Sequence, residues 1–427
     1  HPYKKIMKIT LPSALEPLIS NLLSHNIRPI LVGGYLRDIL MHNSKSKDID
    51  IELYGVDSMQ GLIEILRPFA NPHEVGKSFG VIKLDFEGYD IDFSLPRTEN
   101  KTTSGHRGFE VQTYHDISFK KAAIRRDFTI NAIGYDFLNQ KLLDPFNGEY
   151  DVKNKILSCV NSETFVEDPL RLFRALGFCA RFELTCKSEL ISLCHSMYGN
   201  GSLHSLAKER IFEELKKLLL RSKKPSIGFK LLQNMQCLSF FPELATLCDN
   251  EMQTSLKILD NLAQSQIDDE KLKLCLLFVV LVSNFKTQDD VTKFIYSLSE
   301  DKKFLKKVVA LYSAYKKLAS FVLSDSNIRR LALHVRIDEL ALLTKIDFKN
   351  KKLGEKLLKR SYDLHVSHKA PVALLQGRDL IRLGVNPSKR FSEILALAFE
   401  AQLDGEFNTL KEAKVWLKTK LLNYQSQ

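Results

Sequence analysis

The chain has 427 residues, 44% hydrophobic and 26% charged, a composition typical of folded globular proteins and unlike that of a disordered chain. This length exceeds what one hydrophobic core serves, so we expect two to four domains. The longest apolar run, Leu274–Val282, is about half of what a membrane span needs, so we expect neither a membrane protein nor a secreted one. With 62 Lys and Arg against 51 Asp and Glu, the net charge of +11 favours a polyanionic partner: RNA, DNA or an anionic membrane.

The first third of the chain alternates apolar and polar residues as β-strands do. Strands are predicted over residues 29–32, 48–53, 80–84, 89–93 and 131–135, with helices over 35–41 and 58–66. Beyond about residue 169 long helical periods follow. The pattern predicts an α/β head with a small mixed sheet over residues 1–150, a helical neck over 151–250, and an all-α body and tail over 251–427.

Two features stand out in the helical part. Thr409 and Glu412 have the spacing of a capping box, which predicts the start of the last helix. Lysine-rich stretches, among them residues 302–307 and 348–360, have two interpretations. They are either solvated helix faces or a surface that follows an RNA backbone.

The seven cysteines form no C-x-x-C pair, and their odd number and apolar surroundings predict reduced core thiols in a reducing compartment such as the cytoplasm. Cys186, Cys194 and His195 have no fourth ligand at the spacing of a zinc site.

A predicted strand carries the acidic series Asp48, Asp50 and Glu52. Period-two alternation places these three side chains on one face. Like charges on one strand face repel each other, and paired carboxylates are suitable Mg²⁺ ligands when phosphates complete the coordination. The alternative is an exposed strand edge with three acids.

Upstream of this strand, Gly33-Gly34 lies between an apolar strand and a helix that contains Arg37. Glycines let the backbone approach a ligand closely, and the helix that follows offers free N–H groups to a phosphate. The pattern is neither a Rossmann fingerprint nor a P-loop. The alternative is an ordinary turn.

Two further segments carry charged residues suited to a nucleotide. In the first, Arg126 can pair with phosphates and Asp127 can accept from a ribose hydroxyl; an ordinary surface charge cluster is the alternative. In the second, Pro169 at the first helical position predicts Asp168 as the N-cap, with Arg171 three residues later on the same face. A simple capped helix with an exposed arginine is the alternative.

Together these motifs resemble the class II tRNA nucleotidyltransferase family, which comprises CCA-adding enzymes and bacterial poly(A) polymerases. They occur in the family's order over residues 29–245, and residues 377–406 are similar to the family's carboxyl end. The matching pieces are Gly33-Gly34-x-x-Arg37-Asp38, Asp48-x-Asp50, Arg97-Thr98-Glu99 with the loop to Gly108-Phe109, Arg125-Arg126-Asp127-x-Thr129-x-Asn131-Ala132, Asp144-Pro145-x-x-Gly148, Glu167-Asp168-x-x-Arg171 and Glu209-Arg210-Ile211.

The resemblance implies a polymerase-β-like nucleotidyltransferase head with Asp48 and Asp50 as catalytic carboxylates and Mg²⁺ ligands. Asp92, on a neighbouring strand, is a further carboxylate candidate. The neck would recognise the base, and the body and tail would bind tRNA. The implied nucleotide-binding residues are Gly33, Gly34, Arg37, Arg126, Asp127, Asn131, Asp168, Arg171 and Arg174.

The implied function is addition of C and A to the tRNA 3′ end without a nucleic-acid template, with CTP and ATP as substrates. The alternatives are an A-adding or CC-adding specialist, a poly(A) polymerase, or a non-catalytic RNA-binding protein on the same fold. Retention of the polar loop from Arg97 to Gly108 favours an enzyme that adds A. Residues 271–284 lack the His-Asp pair of a phosphohydrolase module, so we expect no such activity. The sequence does not indicate the oligomeric state.

Overall fold

The computed structural model describes residues 9, 11–42, 46–75, 80–96, 117–347, 349–387 and 389–425. These residues form two compact units. The first lies within residues 1–218 and 227–237, and the second within 219–226 and 238–427. The division into head, neck and body with tail stays a prediction.

The first unit contains a mixed sheet with the strand order β3-β4-β5-β2-β1-β6-β7. Its strands are β1 (Arg28–Val32), β2 (Asp48–Tyr54), β3 (His73–Val75), β4 (Val81–Phe86), β5 (Tyr89–Ser94), β6 (Gly134–Asp136) and β7 (Lys141–Leu143). Strands β2 and β5 pair in parallel and the other neighbours are antiparallel. A separate parallel pair joins β8 (Ile156–Leu157) to β9 (Thr185–Cys186). The predicted fold class, an α/β head followed by helices, is confirmed.

Ten α-helices of the described residues up to 234 precede these strands, lie between them or follow them along the chain. They are α1 (Glu16–Ser24), α2 (Gly33–Leu40), α3 (Met59–Leu66), α4 (Phe119–Ala123), α5 (Gly148–Asn154), α6 (Ser162–Phe165), α7 (Arg171–Phe182), α8 (Ser188–Gly199), α9 (Lys208–Arg221) and α10 (Ser226–Asn234).

In its described residues the second unit consists of helices joined by turns and loops, without a β-strand. Its helices are α11 (Pro242–Ala245), α12 (Asp249–Ala263), α13 (Glu270–Leu281), α14 (Gln288–Tyr296), α15 (Lys302–Lys317), α16 (Asp325–Leu331), α17 (Ile337–Ile346), α18 (Lys351–Asp363), α19 (Gly377–Arg382), α20 (Lys389–Asp404) and α21 (Leu410–Gln425). The predicted capping box is present: the Thr409 hydroxyl accepts from the Glu412 N–H at 3.3 Å, and the Glu412 carboxylate accepts from the Thr409 N–H at 3.0 Å. No helix in the described ranges has the length and apolarity to cross a membrane.

The alternation of β2 separates a core face from a polar face, as predicted. Ile49, Ile51 and Leu53 are buried in the hydrophobic core of the head. Because successive strand residues point to opposite faces, Asp48 and Asp50 lie on the other side of the sheet. The sheet therefore presents acidic side chains away from its main core.

Two predicted boundaries are wrong. Residues 131–135 are not one strand, because Thr129–Asn131 forms a 3₁₀ turn and β6 begins only at Gly134. Side chains of this turn bond to nearby carboxylates, which competes with strand pairing: Thr129 donates to Asp151 and Asn131 donates to Asp127.

Asp168 is not the N-cap of α7, because the helix begins at Arg171 with Leu170 as its N-cap. Residues 168–170 instead form a turn, in which the Asp168 carboxylate accepts from the Leu170 N–H at 3.1 Å. A polar side chain two residues before an N–H can close such a turn without starting a helix.

Candidate active site

The Gly33 turn lies directly against Asp50. Gly33 has a φ of +75°, and a Cβ atom at this position would lie 2.5 Å from Oδ2 of Asp50. Only glycine fits there without displacing that carboxylate. The strand register pairs Val32, the last residue of β1, with Asp50, so the turn that follows β1 begins beside Asp50.

A group of carboxylates shares the polar face of β2 and β5. Their parallel register places Asp92 beside Asp50 and Asp90 beside Asp48. Burial raises the pKa of Asp50, and the negative charges of Asp92 and Asp48 raise it further, while Arg126 acts in the opposite direction. Lys83 lies 3.3 Å from Asp92 and partly balances that charge. The negative charge of ionised Asp50 is thus only partly balanced by the positive charges near it.

The donor set fits a hard divalent cation. Hard cations prefer carboxylate oxygens, and Mg²⁺ is usually held by one or two carboxylates with phosphates and water supplying the other ligands. Among the described residues, no three His, Cys, Asp or Glu side chains converge on a point that would hold a metal by themselves. Asp48 and Asp50 are therefore suited to a Mg²⁺ ion whose coordination a triphosphate completes.

A cavity of about 440 Å³ opens beside the turn. It brings together all nine predicted nucleotide-binding residues and one of the two predicted metal ligands: Gly33, Gly34, Arg37, Asp50, Arg126, Asp127, Asn131, Asp168, Arg171 and Arg174. Asp48, two residues earlier on β2, is exposed and does not line it. Leu170, Phe178 and Arg210 complete the lining. Five arginines against three aspartates make the cavity suitable for an anionic ligand.

Asp127 is the hub of a buried network. Its Oδ1 accepts from the Phe128 N–H at 2.8 Å and from Asn131 at 3.0 Å, and its Oδ2 accepts from two nitrogens of Arg174 at 2.8 and 2.6 Å. Burial alone would raise the pKa of Asp127, but the charge of Arg174 and these hydrogen bonds hold it below its ordinary value. Asp127 therefore stays ionised and fixes the position of Arg174.

Arg37 is held on every side of its guanidinium. Nε and Nη2 donate to Asp38 at 2.9 and 2.6 Å, and Nη1 donates to Asn131 at 2.8 Å. The rings of Phe178 and Phe182 lie 5.2 and 4.7 Å from its central carbon, which is cation–π distance. Arg37 thereby connects the glycine turn to α7.

Arg171 is anchored by two backbone carbonyl groups. Nη1 donates to the Thr164 oxygen at 2.7 Å and Nη2 donates to the Arg125 oxygen at 2.6 Å. A guanidinium has five N–H donors in a rigid plane, so three remain for a ligand after these two bonds. Asp168 is anchored too, with Oδ2 at 3.4 Å from Arg210. The pair lines one cavity in a fixed orientation.

Glu52 is a functional candidate whose partners the sequence did not reveal. It is buried, accepts a hydrogen bond from the Tyr54 hydroxyl, and lies 3.3 Å from Nη2 of Arg126. Glu52 thus orients Arg126, a residue of the cavity lining, and is not one of the two predicted metal ligands. The sequence feature that could have identified Glu52 was its place on the same strand face as Asp48 and Asp50.

Phe178 and Arg210 were also not predicted to line the site. Phe178 follows Arg171 and Arg174 by seven and four residues, which is the spacing of one helix face. Arg210 belongs to the motif Glu209-Arg210-Ile211, whose place in the fold the sequence did not specify. The predicted loop from Arg97 to Gly108 lies outside the described residues.

The mixed sheet thus carries carboxylates beside a glycine turn, at the edge of an arginine-lined cavity. This arrangement is suited to a ligand that brings phosphates together with a divalent cation. Models of three families match successive parts of the chain: the Poly A polymerase head domain over residues 30–158, the RNA and SrmB-binding site of polymerase A over 196–248, and the tRNA nucleotidyltransferase domain 2 over 266–415. These matches agree with the resemblance that the sequence motifs carry.

The curated relatives it matches are named as CCA enzymes. The Multifunctional CCA protein of Neisseria gonorrhoeae (strain NCCP11945) is 36% identical over 218 residues, which are 51% of this chain and 50% of the relative. The CCA-adding enzyme of Alteromonas mediterranea is 34% identical over 244 residues, 56% of this chain and 58% of the relative. The chain thus spans about half the length of these relatives.

Solved structures agree on the fold across nearly the whole chain. A CCA-adding enzyme in complex with CTP has a TM-score of 0.69 at 21% identity and covers 96% of both chains. The Thermotoga maritima CCA-adding enzyme complexed with tRNA has a TM-score of 0.61 at 21% identity and covers 97% of both chains.

Proposed function

We propose that this protein adds C and A to the 3′ end of tRNA without a template, using CTP and ATP and releasing pyrophosphate. The observation that carries the proposal is Asp50 held against the Gly33 turn at the mouth of an arginine-lined cavity. The match of residues 266–415 to a tRNA nucleotidyltransferase domain supports tRNA as the acceptor, and the names of the curated relatives support addition of CCA.

The two aspartates of β2 are the metal ligands of this proposal. Asp48 and Asp50 would hold Mg²⁺, which would supply a Lewis acid that lowers the pKa of the tRNA 3′-hydroxyl and neutralises charge on the leaving pyrophosphate. The raised pKa of Asp50 supports this role, because under-compensated carboxylates favour a divalent cation.

The arginines of the cavity bind and orient the triphosphate. Arg126 lies next to Asp50 in the cavity lining and is aligned by Glu52, so its free donors can face phosphate oxygens. Arg174, held by both bonds to Asp127, presents its remaining face to the same space. Gly33 and Gly34 let the phosphates approach the backbone closely.

Asp168 and Arg171 select the base. Arginine only donates and an ionised aspartate only accepts, so the pair matches the acceptor N3 and donor 4-amino group of cytosine, and the acceptor N1 and donor 6-amino group of adenine. Uracil and guanine carry an N–H where Arg171 needs an acceptor. Each mismatch leaves a buried polar group unpaired, at a cost of about 1–3 kcal/mol.

A poly(A) polymerase is the second candidate, because two of the three matching family models are described as polymerase A domains. An A-adding or CC-adding specialist differs only in which nucleotides it transfers. We place the enzyme in the cytoplasm, since all seven cysteines are free thiols.

The test supplies purified protein with Mg²⁺, one labelled nucleoside triphosphate at a time, and tRNA that ends at the discriminator base, at C, or at CC. Incorporation of both C and A, in that order, is the expected result. Addition of only A to CC-ended tRNA, or of only C, indicates a specialist, and long A tails on unrelated RNAs indicate a poly(A) polymerase. Absence of all incorporation together with tight tRNA binding would leave a non-catalytic RNA-binding protein.

A further inference from the structure

The carboxyl end of α7 carries two residues that the proposed function does not use, Arg181 and Phe182. Neither lines the nucleotide cavity, whereas Phe178, about one turn earlier on the same helix, does. The rings of Phe178 and Phe182 are stacked, with centroids 5.9 Å apart and planes inclined by 28°. Both rings are half-buried, and the stack extends from the cavity lining to the end of the helix.

Two guanidinium groups contact the Phe182 ring. The central carbons of Arg37 and Arg181 each lie 4.7 Å from its centroid. A cation–π contact is stronger where water is excluded. Arg37 is only 5% exposed, whereas the side chain of Arg181 is 32% exposed. Phe182 therefore acts mainly on Arg37.

Asp38 pairs with the same two arginines. Its Oδ1 accepts from Nε and Nη2 of Arg37 at 2.9 and 2.6 Å, and its Oδ2 lies 3.7 Å from Nη2 of Arg181. The contacts thus close a ring of four residues: Asp38, Arg37, Phe182 and Arg181. Because a carboxylate and an aromatic ring hold the same rigid guanidinium, Arg37 has little freedom to rotate.

The plane of Arg37 decides where its free donors point. Three of its five N–H groups are used, two on Asp38 and one on the Asn131 side chain at 2.8 Å. A Cβ atom on Gly34 would lie 3.3 Å from Nη2 of Arg37, so the guanidinium lies directly beside the glycine turn. Because a guanidinium is planar, its orientation determines the direction of the two N–H groups that remain for a phosphate.

The contacts of Arg37 return to α7 at a second point. Asn131 donates to Asp127 at 3.0 Å, and Asp127 accepts from Arg174 at 2.8 and 2.6 Å. Arg174 and Phe182 lie eight residues apart, about two turns of the same helix. The path that starts at Phe182 and passes through Arg37 therefore ends at an arginine of the cavity lining.

We propose that Phe182 is a positioning residue of the nucleotide site. It holds the Arg37 guanidinium in the plane at which the two remaining N–H donors reach the triphosphate, and Arg181 supports this arrangement through Asp38. The inference rests on the proposed function, because it requires a triphosphate in the cavity. It assigns part of the nucleotide affinity to a residue outside the cavity lining.

The experiment measures the dissociation constant of CTP with Mg²⁺ by isothermal titration calorimetry, without tRNA, so that no transfer occurs. The test variant Phe182→Leu keeps an apolar side chain and removes the ring, and we expect it to bind CTP roughly fivefold more weakly. Phe182→Tyr retains the ring and should bind CTP as the original protein does. The matched control is Phe86→Leu, which removes another half-buried ring of the first unit outside the cavity and should leave CTP binding unchanged.

Two further measurements distinguish positioning from packing. In steady-state transfer to tRNA, Phe182→Leu should raise the KM for CTP about fivefold and change kcat less than about twofold, because the lost contact affects the ground state and the transition state alike. In an Arg37→Gln background there is no guanidinium to position, so Phe182→Leu should cause no further loss of CTP affinity.

Unchanged CTP affinity in Phe182→Leu would overturn the proposal. So would an equal loss in Phe182→Tyr or Phe86→Leu, or the same loss in the Arg37→Gln background, because the cause would then be packing. If the original protein binds CTP and the variants behave as expected, but no nucleotide is transferred, the proposed function fails and this inference stands. Transfer by the original protein with unaffected CTP binding in Phe182→Leu has the opposite meaning, and an original protein that binds no CTP would overturn both.

Discussion

Asp50 is a residue at which the requirements of folding and of the proposed chemistry oppose each other. Its pKa is raised by burial and then by the charges of Asp92 and Asp48. A carboxyl whose pKa is higher in the folded state than in the unfolded state contributes its full stability only below the unfolded-state value. That contribution is lost as the pH rises through the folded-state pKa. At neutral pH the ionised group therefore destabilises the fold.

We predict that Asp50→Asn stabilises the ligand-free protein by about 1 kcal/mol at pH 7 and abolishes nucleotide incorporation. The stability difference should shrink as the pH falls from 7 toward the ordinary pKa of a free aspartate, since protonation of Asp50 removes its charge. Thermal melts across this pH range provide the measurement. The control is Asp85→Asn, on the exposed face of β4, which should change neither the stability nor nucleotide incorporation.

The same melts test the metal assignment. Added Mg²⁺ should raise the melting temperature of the original protein and have a smaller effect on Asp50→Asn, because a ligand that binds only the folded state stabilises it. An equal Mg²⁺ effect on both proteins would contradict the assignment of Asp50 as a ligand.

In the proposed function, Glu52 acts on the nucleotide through Arg126. Its carboxylate accepts from Tyr54 and faces Arg126 at 3.3 Å, and burial followed by the charge of Glu52 raises the pKa of the Tyr54 hydroxyl. Glu52 therefore keeps a protonated tyrosine on one side and an oriented arginine on the other.

We predict that Glu52→Gln lowers kcat/KM for CTP roughly tenfold, mostly through KM, because a charged hydrogen bond to Arg126 contributes about 1.5–3 kcal/mol and only part of it is lost. Steady-state kinetics with CTP as the varied substrate provide the measurement. Glu64→Gln on the exposed side of α3 is the matched control. A fall confined to kcat with unchanged KM would place Glu52 in the chemical step instead.

At the scale of elements, the strands and the glycine turn were predictable because their signals are local. Alternation predicted β1, β2, β4 and β5 to within one or two residues, and Gly33 marked a turn that only glycine accommodates. The stretch at 131–135 was misassigned because its backbone conformation depends on side-chain bonds to Asp127 and Asp151.

The residues that line the cavity were predictable as a set, but the contacts between them were not. The motifs contain Asp50 and Arg126 and the resemblance implied Arg174; all three line one cavity, and their roles stay predictions. The pairings that fix them join residues 74 and 47 positions apart, Glu52 with Arg126 and Asp127 with Arg174. Such pairings depend on sheet register and on how α7 packs, and no local pattern encodes either.

Helix α7 shows how one element organises the cavity. Arg171, Arg174 and Phe178 share one of its faces and all line the site. Two contacts of this face hold the helix in place: Asp127 pairs with Arg174, and the Phe178 ring contacts Arg37. The residues proposed to select the base and to bind the phosphates, Arg171 and Arg174, are therefore carried by one element, which favours a constant distance between base and phosphates in the proposed complex.

At the scale of the whole molecule, each unit has hydrophobic clusters of its own. The head buries Ile49, Ile51 and Phe93 among others, and the second unit buries Leu380, Ala398 and Leu417 in a separate cluster. Chains with several cores commonly depart from all-or-none unfolding. We therefore expect two calorimetric transitions on heating.

The nucleotide cavity lies within the first unit, so CTP with Mg²⁺ should stabilise one of the two transitions selectively. At 100 times the dissociation constant, binding adds about 2.7 kcal/mol to the stability of the unit that contains the site. Differential scanning calorimetry with and without CTP measures this, and limited proteolysis identifies which unit each transition belongs to. A single transition that CTP shifts as a whole would mean that the two units unfold as one cooperative body.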